Sequence, residues 1–196
     1  MSVQPKRDFT VAEYLAIERR AETRSEYFRG EMFAMSGASR KHNLLCLNVS
    51  ACIHQQIRHR RCEVYQTDMR VKVCESGLYT YPDVVATCEA PQFEDEQVDS
   101  LLNPQVLVEV LSESTENYDR GKKFEHYRRI TSLQEYLLIS QDRLLVELYT
   151  RRPNEGWLLT VASRWDECVQ LSSIDCSLPL AEIYAKVEVV ESNDHL

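Results

Sequence analysis

Val106-Leu107-Val108-Glu109-Val110-Leu111 is a nearly continuous apolar run broken by one charged residue. Continuous rather than alternating apolarity is the mark of a strand buried on both faces, and such strands sit in sheets covered by helices. Downstream, a helical pattern runs from about Asp119 to Ile130, and a second apolar strand follows, Glu135-Tyr136-Leu137-Leu138-Ile139. Strand, helix and strand in that order predict a parallel βαβ crossover.

Working outward, Thr10-x-x-Glu13 is a capping box that opens a helix with Val11, Tyr14, Leu15 and Ile17 on one side. Glu26 to Met35 reads as two short strands around Arg29-Gly30. From Ser39 to about His59, the residues His42, Leu45, Val49, Cys52, Ile53 and Ile57 recur on one helical face. Glu63 to Val73 reads as a strand, Glu75-Ser76-Gly77 as a turn, and Tyr81 to Thr87 as a strand. Pro82 stands at the start of the last of these, where a missing ladder donor is tolerated. The acidic stretch Glu89 to Ser100 reads as a loop. Beyond the crossover, Leu144–Thr150 and Trp157–Ala162 form a hairpin, and Leu180–Val187 a short helix. The expected fold class is mixed α/β (α+β), a β-sheet flanked by helices, in one domain spanning 1–196.

The composition fits that expectation. With 196 residues, 43% of them hydrophobic, and only 5 Gly and 6 Pro, the chain is neither collagenous nor disordered. No apolar run approaches the roughly 18 to 20 residues that span a bilayer, and MSVQPKRDFT has no apolar leader core, so a cytoplasmic setting is expected. The 7 cysteines include no CxxC pair and read as small buried hydrophobes or surface thiols, not a disulfide framework. A formal net charge of −8 argues mildly against a nucleic-acid partner. Basic clusters at Arg40-Lys41-His42, Arg58-His59-Arg60-Arg61, Arg120-Gly121-Lys122-Lys123 and Arg128-Arg129 weaken that objection, while acid gathers at Glu94-Asp95-Glu96 and after Glu188.

Glu109 is the most informative residue, because a carboxylate in a two-face-buried strand must be neutralised, paired or metal-bound. Asp83, immediately before Val84-Val85-Ala86, raises the same question. On adjacent strands the two would make a hard-cation site suited to Mg²⁺ or Mn²⁺. Alternatively, Asp83 caps the Pro82 turn and Glu109 forms a buried ion pair. In the following helix Phe124, Tyr127 and Ile130 mark the core-facing side. At about 100° per residue, Lys123 falls within roughly 40° of its centre and Lys122 roughly 140° away. Lys123 either reaches the Glu109 pocket, where its ammonium orients a water or stabilises phosphoryl charge, or snorkels outward.

At these residues the chain resembles a known family. Tyr81-Pro82-Asp83-Val84-Val85, Pro104-x-x-Leu107-Val108-Glu109-Val110-Leu111-Ser112-x-Ser114-Thr115, Tyr118-Asp119-Arg120-Gly121-x-Lys123-Phe124-x-x-Tyr127-Arg128 and Leu133-x-Glu135-Tyr136-Leu137 are similar to the Uma-type family of putative restriction endonucleases. That family is a branch of the PD-(D/E)XK nuclease superfamily. The resemblance implies a restriction-endonuclease-like core with a metal site at one end of the sheet. Asp83 matches the motif aspartate and Glu109 the acidic residue of the (D/E)XK element. The superfamily pattern puts lysine at position 111, where this chain has Leu111; Lys123 matches the lysine that this branch takes from the following helix. Glu31, after Gly30, looks like the family's Gly-Glu element and a further metal ligand. His42 is a candidate for contacting phosphate or holding a carboxylate, or else a satisfied core histidine.

The expected function is a Mg²⁺- or Mn²⁺-dependent nuclease acting on nucleic acid, most readily DNA, with Asp83, Glu109 and Lys123 at the reaction centre. Arg40-Lys41 and Arg120-Lys122 would grip the backbone. Homodimerisation is expected if both strands of a duplex are cut. A non-cleaving nucleic-acid-binding module of the same fold, or a dimeric regulator without nucleic acid, are the alternatives.

Overall fold

The computed structural model describes residues 8–35 and 37–190; residues 1–7 of the leading stretch and 191–196 of the acidic tail lie outside the described residues. The Val106–Leu111 strand (β8) is buried at all six positions and runs parallel to Glu135–Ser140 (β9). Between them lie a short helix Glu116–Tyr118 (α3), a π-helical turn Asp119–Lys123, and Phe124–Tyr127 (α4). The crossover is therefore as expected, with a wider turn in its middle.

β8 and β9 are the centre of a six-stranded mixed sheet. On one side β9 pairs antiparallel with Val146–Arg152 (β10), which pairs with Gly156–Ala162 (β11). On the other, β8 pairs antiparallel with Val84–Thr87 (β6), and β6 with Glu63–Gln66 (β3). One face of this sheet, through Val84, Val106, Val108, Val110, Leu137 and Ile139, packs on the long helix Arg40–Ile57 (α2) and on the C-terminal elements. Those are a small hairpin, Cys168–Leu171 (β12) with Cys176–Pro179 (β13), and the helix Leu180–Ile183 (α5). Ser39 caps α2, its hydroxyl accepting from the His42 amide at 3.0 Å.

The opposite face, through Val85, Leu107, Leu111, Tyr136 and Leu138, packs on Tyr127, Ile130 and Leu133 and on a second sheet. This sheet holds the hairpin Ser25–Phe28 (β1) and Glu31–Ala34 (β2), with Leu78–Thr80 (β5), Arg70–Val73 (β4) and Ser100–Leu101 (β7). Gly30, at φ +88°, makes the tight turn of the hairpin with Arg29 at +48°. The helix Val11–Glu18 (α1) starts at the Thr10–Glu13 capping box and seals the second sheet through Tyr14, Tyr27 and Tyr79.

Three expectations need correction. Glu63–Val73 is not one strand: Thr67, at φ +49°, turns the chain so that β3 and β4 lie in different sheets. Tyr81–Thr87 likewise begins in neither sheet, since β5 ends at Thr80 and β6 starts at Val84. The two crossings are tied together, with the Thr67 amide donating to the Asp83 carbonyl at 2.9 Å. Finally, Cys62 and Cys88 form a disulfide, pairing cysteines that flank the β3–β6 ladder at Glu63 and Thr87. Proximity in sequence could not announce this pair, because strand pairing brings it together.

Candidate metal centre

Asp83 occupies the fork where the chain leaves one sheet for the other. Its Oδ2 accepts from the Val110 amide at 2.7 Å and lies 3.1 Å from His42 Nε2. The first contact ties it to β8, one residue from Glu109; the second ties it to the first turn of α2. With Nε2 facing a carboxylate, the imidazole hydrogen is assigned to that nitrogen. Nδ1 is then free to accept from the Cys46 thiol, 3.4 Å away. Burial pushes the Cys46 thiol well up, with Asp83 and Glu109 adding to the shift, so the sulfur keeps its proton. The ligand atoms of His42, Cys46 and Asp83 lie within 4.8 Å of one another. A protonated thiol is a poor ligand, and the trio acts here as a hydrogen-bonded brace for Asp83.

Glu109 alternates onto the β8 face that packs against the crossover helix, and its residue exposure is 4%. Its Oε1 accepts from the Tyr127 hydroxyl at 2.8 Å and lies 2.9 Å from Lys123 Nζ. Lys123 points inward, with 7% of its side chain exposed, and also lies 3.4 Å from Glu26 Oε1 and from Asp119 Oδ1. The outward, snorkelling alternative is therefore excluded. Burial alone would lower the ammonium's pKa, but Glu109, Glu26 and Asp119 hold it well above its usual value. Burial raises Glu109 and Asp119 in spite of Lys123.

Glu26, Asp83, Glu109 and Asp119 thus share one cleft of about 600 Å³ with the Lys123 ammonium, and Asp68, paired with Arg24, lines it too. The surplus negative charge and the all-oxygen donor set suit a hard divalent cation. Among the described residues, the hydrogen bonds of Asp83 and Glu109 and their nearest ion-pair contacts fall on Oδ2 and Oε1.

The structure thus brings Asp83, Glu109, Lys123 and His42 together as the sequence suggested. It does not bring Glu31, which opens β2 opposite Phe28 and does not line the cleft. The acid that this hairpin contributes is Glu26, one pleat repeat farther from the turn on the same face. Glu26 and the ion-paired role of Asp119 were missed: Glu26 ends a polar run, Arg24-Ser25-Glu26, that gives no sign of an inward-facing side chain. Arg120 is also placed differently from expectation, between Glu116 and Glu147 rather than free for phosphate, and Lys41 pairs with Asp142.

Comparison with known proteins agrees with this architecture. The family model Uma2, described as putative restriction endonuclease, matches residues 11–181. The uncharacterised protein sll1609 of Synechocystis sp. (strain ATCC 27184 / PCC 6803 / Kazusa) is 41% identical over 160 residues, 82% of this chain and 90% of the relative. The uncharacterised protein slr1290, from the same organism, is 34% identical over 172 residues, 88% and 89% of the two chains. A crystal structure of a putative nuclease belonging to DUF820, from Anabaena variabilis ATCC 29413, matches with a TM-score of 0.74 and 18% identity. The match covers 92% of this chain and 99% of that one, and at such identity it speaks for the fold.

Proposed function

The chain belongs to the Uma2 family of putative restriction endonucleases, and from that premise we propose that it is a Mg²⁺- or Mn²⁺-dependent nuclease hydrolysing phosphodiester bonds in DNA, acting in the cytoplasm. The observation that carries the proposal is the Lys123 ammonium held between Glu109 and Glu26, in one cleft with Asp83.

Asp83 Oδ1 and Glu109 Oε2 would hold the cation, with Glu26 as a further oxygen donor. When bound, the cation supplies a Lewis acid that lowers the pKa of a water and offsets phosphate charge in the transition state. Val110 N–H and His42 fix Asp83 through Oδ2, so that Oδ1 is presented in one orientation. Tyr127 does the same for Glu109 through Oε1. Lys123, kept protonated by its carboxylates, donates hydrogen bonds that orient the attacking water and stabilise a non-bridging phosphate oxygen.

Mn²⁺ titration by calorimetry tests this without knowledge of the target sequence. Wild type should bind, and Asp83→Asn and Glu109→Gln should each remove binding while retaining a cooperative thermal melt. A folded wild-type protein that takes up no Mn²⁺, with or without DNA present, and leaves plasmid and oligonucleotide DNA uncut would overturn the proposal.

A further inference from the structure

Phe33 is paired directly across the hairpin with Glu26, the carboxylate that touches Lys123. Antiparallel partners share a face, with Cβ atoms about 5 Å apart. Phe33 is therefore a side chain's width from the candidate metal centre. It is 47% exposed, Met35 two residues on is 39% exposed, and both line the same cleft as Asp83 and Glu109. The large apolar residues on the other face of this hairpin, Tyr27 and Met32, pack into a tyrosine-rich cluster under α1. Phe33 serves no such core, and a large ring left open to water beside a reaction centre calls for a ligand.

The charge of the cleft indicates what kind. Its lining acids are Glu26, Asp68, Asp83, Glu109 and Asp119, against the cations Arg24 and Lys123. Arg24 is paired with Asp68 at 3.2 Å, and Lys123 has three carboxylates within 3.4 Å. A cleft of this sign offers a phosphate backbone little beyond the bound cation and the one ammonium of Lys123, so much of the affinity for a nucleotide must come from its uncharged part. In a duplex both faces of a base are covered by neighbours; an unpaired base offers one to a ring.

Resting on the nuclease reading above, we propose that Phe33, flanked by Met35, is a stacking platform for an unpaired base next to the scissile phosphate, so that the preferred substrate is DNA with a single-stranded segment. The aromatic ring supplies affinity that is indifferent to sequence, and duplex without a frayed or flipped base is the poorer ligand.

The test uses the full chain, with labelled single-stranded and duplex oligonucleotides read by anisotropy in Ca²⁺, 2-aminopurine at successive positions of the single strand, and cleavage read in Mg²⁺. Single strand should bind more tightly than duplex, with 2-aminopurine quenched at one position. Phe33→Ala should weaken single-strand binding by roughly 5- to 150-fold and abolish the quench; Phe33→Trp should restore both, and duplex binding should barely move. A Phe33→Ala protein that binds single strand and quenches like wild type, while Mg²⁺-dependent cleavage persists, overturns the stacking platform and leaves the nuclease reading standing. The platform also fails if Phe33→Ala changes only the oligomeric state. A folded wild type that neither binds nor cuts either DNA overturns both. Because Phe33 is half in solvent, the thermal melt of the alanine variant should match wild type and serve as the folding control.

Discussion

Lys123 carries much of the electrostatic balance of its surroundings. Replacing it with alanine would leave Glu26, Glu109 and Asp119 facing one another without a cation, and breaking a buried pair on one side costs about 3 to 5 kcal/mol. Lys123→Ala should therefore lower the thermal midpoint of the metal-free protein, and added Mn²⁺ should recover a large part of that loss through Asp83 and Glu109. If Mn²⁺ stabilises the variant no more than it stabilises Asp83→Asn, the carboxylates are not a cation site. Residues of this kind were legible in the sequence because each breaks an apolar pattern: Glu109 interrupts a buried strand, Asp83 precedes one, and Lys123 intrudes on a helix face. Glu26 breaks no pattern, and only the pairing of β1 with β5 and the packing of the crossover helix show where its carboxylate lies. Glu31, beside a conspicuous glycine, lies on the same face one pleat nearer the turn and outside the cleft.

Among the elements, those with strong periodicity were readable: α2, the β8–β9 crossover and the β10–β11 hairpin all fall where the apolar pattern puts them. The splits at Thr67 and at Tyr81–Asp83 were not, because a single left-handed threonine has no reliable signature and both halves of each segment look like strand. The π turn was equally silent, though it presents Lys123 to the same side that a regular helix would. The Cys62–Cys88 bridge belongs to this scale too, since it depends on the β3–β6 register. It closes a loop with a sequence separation of 26, for which chain entropy sets a ceiling of about 3.5 kcal/mol. Reduction, or the double substitution Cys62→Ala with Cys88→Ala, should lower the urea midpoint, and reductant should have no further effect on the double variant. Equal midpoints for oxidised and reduced wild type would show that the bridge does not constrain the unfolded chain.

For the whole molecule, composition yields a net charge of −8 but says nothing of its arrangement. Part of the acid fastens α1 to the loop before β7: Arg19 lies 2.7 Å from Asp95 and 2.8 Å from Asp99, and buried Arg70 lies 2.8 Å from Asp99. Arg19, with help from Arg70, holds the Asp99 carboxyl down at about 2 against an ordinary 3.8. A depressed folded value means that the stabilisation is complete above the ordinary pKa and is lost as pH falls toward about 2. Asp99 is a third exposed, so solvent screening keeps the effect modest. Between about pH 5 and pH 2, the urea midpoint of wild type should fall more steeply than that of Asp99→Asn, and parallel curves would show that Asp99 has no part in acid sensitivity. The placement of the candidate metal centre has a different consequence. Glu26 stands on one sheet and Glu109 on the other, and Lys123 spans the gap between them. Mechanically the cleft is a joint with the lysine as its pin, and a load that prises the two plates apart must pull that pin as well as part the apolar layer between them.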